Sequence, residues 1–118
     1  MTTISGEITP AGLLRVDRFE WERWIRRLPL DPPVKLLALV MGSYASINGA
    51  DVRPGDDRLA RVLRCSDRTV RTNRGRLIDA GLIERVNRAP RRGMADEYVL
   101  TIPPNVLDLT DLDPDERN

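Results

Sequence analysis

The chain has 118 residues, 41% hydrophobic and 31% charged, which is enough for one domain of ordinary size with short tails. It has a single cysteine, Cys65, and no histidine, which excludes an intramolecular disulfide, the usual zinc sites and the Ser-His and Cys-His nucleophile pairs. The net charge of +1 hides a sharp asymmetry along the chain, and arginine supplies 18 of the 19 basic side chains.

Residues 1–10 lack the basic start and apolar stretch of a secretory signal. No apolar run approaches the roughly 20 residues of a membrane span. The expectation is a cytoplasmic protein that meets no membrane. Gly6, Pro10 and Gly12 interrupt the first residues, and Leu13 to Val16 reads as a short strand or an extended arm. Asp17 fits a helix N-cap, with Glu20 at the capping-box spacing. Trp21, Trp24, Ile25 and Leu28 then recur at i, i+3, i+4 and i+7 until Pro29 ends the helix. That stripe has two readings. It packs on the domain, or it pairs two copies of the chain, since an exposed tryptophan patch is unusual on a monomer.

Asp31-Pro32-Pro33 opens a second helix, with prolines where no intrahelical N–H is needed. Val34, Leu37, Ala38 and Met41 repeat the helical spacing, Leu36, Leu39 and Val40 widen the stripe, and the predicted end is near Ser46. A third helix is predicted from Gly55 or Asp56, carrying Leu59, Ala60, Val62 and Leu63, with Asp56 and Asp57 at the positive end of its dipole. Ser66 is a good N-cap for a fourth, running from Asp67 to about Ala80, and Gly81 suits the position just past its end. Leu82 to Val86 and Tyr98 to Ile102 read as two strands joined by a loop rich in Arg, Pro and Gly. Pro103-Pro104 stops the second strand. The acidic remainder, Asn105 to Asn118, is predicted to be disordered.

Charge follows the same divisions. Residues 1–57 hold seven basic and eight acidic side chains, a balance of −1. Residues 58–92 hold eleven arginines against Asp67, Asp79 and Glu84, which is +8. Residues 93–118 hold Arg117 against seven carboxylates, which is −6. A basic middle between neutral and acidic flanks is the electrostatic footprint of a nucleic-acid surface.

The order helix, helix, short turn, helix, strand, basic loop, strand is that of a winged helix. The run Leu59-Ala60-Arg61-Val62-Leu63-Arg64-Cys65-Ser66-Asp67-Arg68-Thr69-Val70, followed by Leu77 and then Ala80-Gly81-Leu82-Ile83, resembles bacterial, phage and plasmid winged helix-turn-helix proteins. Tyr98-Val99-Leu100 matches that family's returning wing strand, and the resemblance spans about residues 33–102. It implies a mainly α fold with a small β-hairpin wing. The expected organisation is an N-terminal arm and helix over 1–30, the winged helix-turn-helix over 31–103 and an acidic tail over 104–118. The partner implied is double-stranded DNA, with no enzyme activity, metal or cofactor. A homodimer through the Trp21/Trp24 helix is the second possible partnership.

Turning the fourth helix by about 100° per residue sets Arg68, Thr72 and Gly75 opposite Val70, with Thr69, Arg71 and Arg76 at the edges. In a helix-turn-helix this face enters the major groove, where arginine grips guanine O6 and N7. Arg68, Arg71 and Thr72 are the candidates for base readout, and Ser66, Thr69 and Arg76 for phosphate. Arg88, Arg91 and Arg92 on the wing tip suit the backbone or the adjacent minor groove. Cys65 reads as a small packing residue in the turn, with redox sensing as the alternative. The function expected is a sequence-specific regulator of transcription, of phage or mobile-element type. A replication-initiation or excision/recombination accessory protein would use the same face, and a winged helix turned to protein contact would not bind duplex at all.

Two residues depart from the family pattern. Arg74 stands where the inner stripe expects leucine, so either its stem is buried with the head snorkelling outward or the helix is rotated. Gly75 sits in mid-helix, which close approach of DNA or of another helix would justify. The acidic residues from Asp108 to Glu116 are either a solvated terminus or a competitor for the arginine surface.

Overall fold

In the computed structural model the described residues are 7–91 and 93–109. Among them, five helices and three strands make a mainly helical fold with a small antiparallel sheet. The elements are β1 (Leu14–Arg15), α1 (Arg18–Arg27), α2 (Pro32–Ser43), α3 (Asp56–Leu63), α4 (Asp67–Asp79), β2 (Ile83–Asn87), β3 (Glu97–Ile102) and α5 (Val106–Leu109). Among the described residues no helix is long and apolar enough to cross a membrane.

Helix α1 starts where the Asp17 carboxylate accepts the Glu20 amide at 2.8 Å and ends in extended backbone at Leu28, just before Pro29. Its apolar stripe faces inward. Trp21, Trp24 and Ile25 are all buried, with Trp21 and Ile25 at 0% exposure. The Trp21 indole N–H is shared between the carbonyls of Leu82 at 2.8 Å and Thr101 at 3.0 Å, which ties α1 to the sheet. Helix α2 comes close enough to this ring that a Cβ on Gly42 would lie 2.8 Å from it. Both tryptophans are therefore core residues of the subunit. The reading in which the Trp21/Trp24 stripe pairs two copies loses the observation behind it: both rings are buried within the chain and form no exposed patch.

Helix α2 buries Val34, Leu37, Ala38 and Met41 as the spacing predicts, but Leu36 is 52% exposed and lies outside the stripe. The helix stops at Ser43, three residues early, because the chain turns back at once. The Ser46 N–H donates to the Ala50 carbonyl and the Ser46 hydroxyl reaches the same oxygen at 3.0 Å. Gly49 closes this turn at φ +83°, with the Val16 carbonyl oxygen 2.1 Å from where a Cβ would stand, so only glycine fits.

Strand β3 is central, in the order β1-β3-β2. Leu14 pairs with Ile102 on one side, so the segment read as strand or arm is a strand. Ile83, Glu84 and Arg85 pair with Leu100, Val99 and Tyr98 on the other, with an irregularity between Arg85 and Asn87. Val52, in the α2–α3 connection, bridges to Tyr98 and so holds the start of α3 against the sheet. One cluster of buried side chains runs from Val16 to Val106. Val106 is 1% exposed on α5, so disorder does not begin at Asn105: the chain turns once more after Pro103-Pro104 and plugs the core. The acidic residues beyond Leu109 lie outside the described residues.

Candidate nucleic-acid interface

Helices α3 and α4 are joined by three residues. Arg64 takes the left-handed conformation at φ 57°, ψ 49°, which reverses the chain in minimal length, and its amide bonds the Ala60 carbonyl. The Cys65 amide donates to the same oxygen at 3.0 Å, and the half-buried Cys65 side chain packs on the core. Ser66 then caps α4, its hydroxyl accepting the Thr69 amide at 3.1 Å and lying 3.0 Å from the Thr69 hydroxyl. The pair uses one of the two hydroxyl protons, so one of the hydroxyls expected to meet phosphate keeps its proton free, and both residues are exposed.

Leu59 and Ala60 on α3 face Val70 and Leu77 on α4, all buried, as the spacing requires. The third buried position of α4 is Asn73, at 8% exposure, rather than Arg74. The opposite face is open. Arg68, Thr69, Arg71, Thr72 and Arg76 are all exposed. Nothing lies within 4 Å of a Cβ built on Gly75, so no packing within the chain explains that glycine.

The arginines of this face differ in their partners. Among the described residues, no carboxylate pairs with Arg68. Arg71 reaches Asp56 at 3.5 Å and Arg76 reaches Asp31 at 3.7 Å. Both pairs are long and each arginine side chain is 57% exposed, so they are worth about 0 to 1 kcal/mol each and a competing anion can displace them.

The loop between β2 and β3 carries the second basic group. Arg88 and Arg91 are exposed and have no carboxylate partner among the described residues; Arg92 lies outside them. The base of the loop is fastened by Asp96, one oxygen accepting the Ala89 amide at 2.7 Å and the other pairing with Arg85 Nε at 2.9 Å. Asn87 donates to Glu97 at 3.0 Å just beside it.

Arg74 resolves neither as snorkelled nor as misplaced by rotation alone. Its head turns inward, with the side chain 13% exposed and a guanidinium nitrogen 2.5 Å from Asp56. It stands over the Tyr98 ring at 5.6 Å from the centroid, and so does Arg85. Arg85 also donates to the Tyr98 hydroxyl at 3.4 Å. That bond, opposed by burial and reinforced by the field of Tyr98 and by Asp96, holds the Arg85 pKa above its ordinary value, so the group stays charged. Asp56, Tyr98, Arg85 and Asp96 were not singled out in the sequence for this role. The one signal was Arg74 itself, a charge where an apolar residue belongs.

Beside these residues a cleft of about 470 Å³ opens between the start of α3, α4 and the returning loop. Its lining includes Arg58, Arg61 and Arg74 together with Asp56, Asp57 and Asp67, a mixture of charges rather than the apolar lining typical of small-molecule pockets. No protein-family model, characterised protein or solved structure matches this chain.

Proposed function

We propose that the chain is a winged helix-turn-helix protein that binds duplex DNA in a sequence-specific way, as a regulator of transcription of phage or mobile-element type. The observation that carries this reading is the outer face of α4. It presents Arg68, Arg71, Thr72 and Arg76 to solvent, on a segment of net charge +8, while its inner face is locked onto α3 through Leu59, Ala60, Val70 and Leu77. An α-helix of this width fits the major groove, and guanidinium groups pair with both guanine and phosphate. The β2–β3 hairpin acts as the wing, with Arg88 and Arg91 placed for the backbone or the neighbouring minor groove.

The test is selection of bound duplexes from random DNA, followed by titration of the selected site at about 50 mM salt, where phosphate contacts are strong. A recovered consensus of several base pairs supports sequence-specific binding, and its location in genomic DNA separates an operator from an origin or an attachment site. No detectable affinity for any duplex at that salt overturns the proposal.

A further inference from the structure

The odd arginine of α4 lies at the centre of a continuous polar chain. The links run from the Ala89 amide in the β2–β3 loop to Asp96, from Asp96 to Arg85, from Arg85 to Tyr98, from Tyr98 to Arg74, and from Arg74 through Asp56 to Arg71. At one end is the loop bearing Arg88 and Arg91. At the other is Arg71, at the edge of the outer face of α4. Every intermediate is at least partly withdrawn from water: Tyr98 is 2% exposed and the Arg74 and Asp56 side chains are 13% and 27% exposed.

We propose that Arg74 is a positioning residue that fixes the wing loop relative to the reading edge of α4, so that the two halves of the DNA surface act as one. The inference rests on the DNA-binding reading for its purpose, but the physical tie exists in the free chain. A leucine at this position would fill the inner stripe and hold nothing beyond it. A charged, planar head held at once by Asp56 and by the Tyr98 face sets a direction as well as a distance. Removing one partner of a buried ion pair destabilises by stranding the other charge, but the Asp56 side chain is 27% exposed and keeps Arg71 as a second partner, which limits that cost here. What Arg74 adds is orientation. Asp56 extends this to Arg71, because its two oxygens take one arginine each.

The test compares wild type with Arg74→Met, which keeps an unbranched stem and removes the head, and with Asp56→Asn, which keeps the helix start and weakens both arginine ties. The first measurement needs no DNA: hydrogen exchange at the Ala89 amide by NMR, with the Thr101 amide as an internal reference. Arg74→Met is expected to speed Ala89 exchange about tenfold and leave Thr101 unchanged. Equal Ala89 exchange in wild type and Arg74→Met overturns the proposal. The second is a double-mutant cycle on the selected duplex. Arg71→Ala and Arg91→Ala are expected to be non-additive in wild type by at least fivefold, and to become independent in the Arg74→Met and Asp56→Asn backgrounds. The same non-additivity in both backgrounds, or none in wild type, counts against it. Should Arg74→Met fail to fold, Asp56→Asn alone decides both measurements. If wild type binds no duplex while Ala89 still loosens, the DNA reading fails and the tie stands.

Discussion

Gly75→Ala separates what α4 needs for itself from what it needs for a partner. Glycine inside a helix loses more chain entropy on folding than alanine, by about 0.8 to 1.0 kcal/mol in an exposed helix interior. A methyl group at this position has room, since nothing stands within 4 Å, and α4 continues from Asp67 to Asp79 on either side of it. The variant should therefore be more stable by about 1 kcal/mol, which for a domain near 100 residues is a rise in Tm of about 4 °C or more. Gly75 also lies on the face of Arg68 and Thr72, at i, i+4 and i+7. If DNA backbone or base edges close over that face, the added methyl meets them, and a loss of tenfold or more in affinity is expected, about 1.4 kcal/mol. Thermal melting and fluorescence anisotropy on one preparation read both numbers. A less stable variant would refute the open-space argument. A stabilised variant with unchanged affinity would show that nothing approaches Gly75 on binding.

Other substitutions probe the cap, the core and the division of roles among the arginines. Ser66→Ala removes the hydroxyl that accepts the Thr69 amide and should cost about 1 kcal/mol by denaturant unfolding, with the slope unchanged. Gly42→Ala forces a Cβ against the Trp21 ring at 2.8 Å and should destabilise by about 1 to 3 kcal/mol, with a change in tryptophan fluorescence. Arg71→Ala should weaken the selected site by about 1 to 3 kcal/mol and relax preference at one base pair, as read by competition with single-base variants. Arg91→Ala should weaken all duplexes alike and reduce the slope of log affinity against log salt by about 0.9. If the two arginine variants behave identically, the assignment of one to bases and the other to phosphate is wrong.

The helices were legible because their boundaries are chemical. Asp17, Pro29, Pro32 and Ser66 start or stop helices through groups that either satisfy a terminal amide or lack one, and the structure places those boundaries within a residue or so of the sequence reading. Where that reading erred, the cause was tertiary. Helix α2 looked able to reach Ser46, but the turn at Gly49 is pinned by the Leu100 amide donating to the Gly49 carbonyl at 2.8 Å, and the chain must reverse sooner. Val106 reads as one of several apolar residues, with Leu107, Leu109 and Leu112, in an acidic stretch, and only its burial shows that it enters the core. The tryptophan stripe was visible, yet periodicity does not say which surface covers it. Tyr98 and Asp96 fell in and beside a predicted strand, and neither the contact of Tyr98 with Arg74 of α4 nor the pairing of Asp96 with Arg85 of β2 leaves a mark on the sequence.

The same limit applies to the basic segment, where composition overstates what is available to a ligand. Among the described arginines of residues 58–91, five have carboxylate partners: Arg61 with Asp57, Arg71 and Arg74 with Asp56, Arg76 with Asp31, and Arg85 with Asp96. Arg58, Arg64, Arg68, Arg88 and Arg91 have none among the described residues, and all five are exposed. A paired arginine contributes little net potential beyond its own pair, because the carboxylate a few ångströms away cancels most of its field, and beyond about 8 Å physiological salt screens what remains. Among the described arginines, attraction of an approaching polyanion would then fall mainly to these five, which lie on α3, the interhelical turn, the start of α4 and the hairpin loop. On the DNA-binding proposal, Arg71 would be released from its weak pair with Asp56 on contact, whereas Arg68 has no such pair to give up among the described residues. Arg68 would therefore serve both encounter and readout on that proposal, and Arg71 readout alone, a difference that a count of +8 does not reveal.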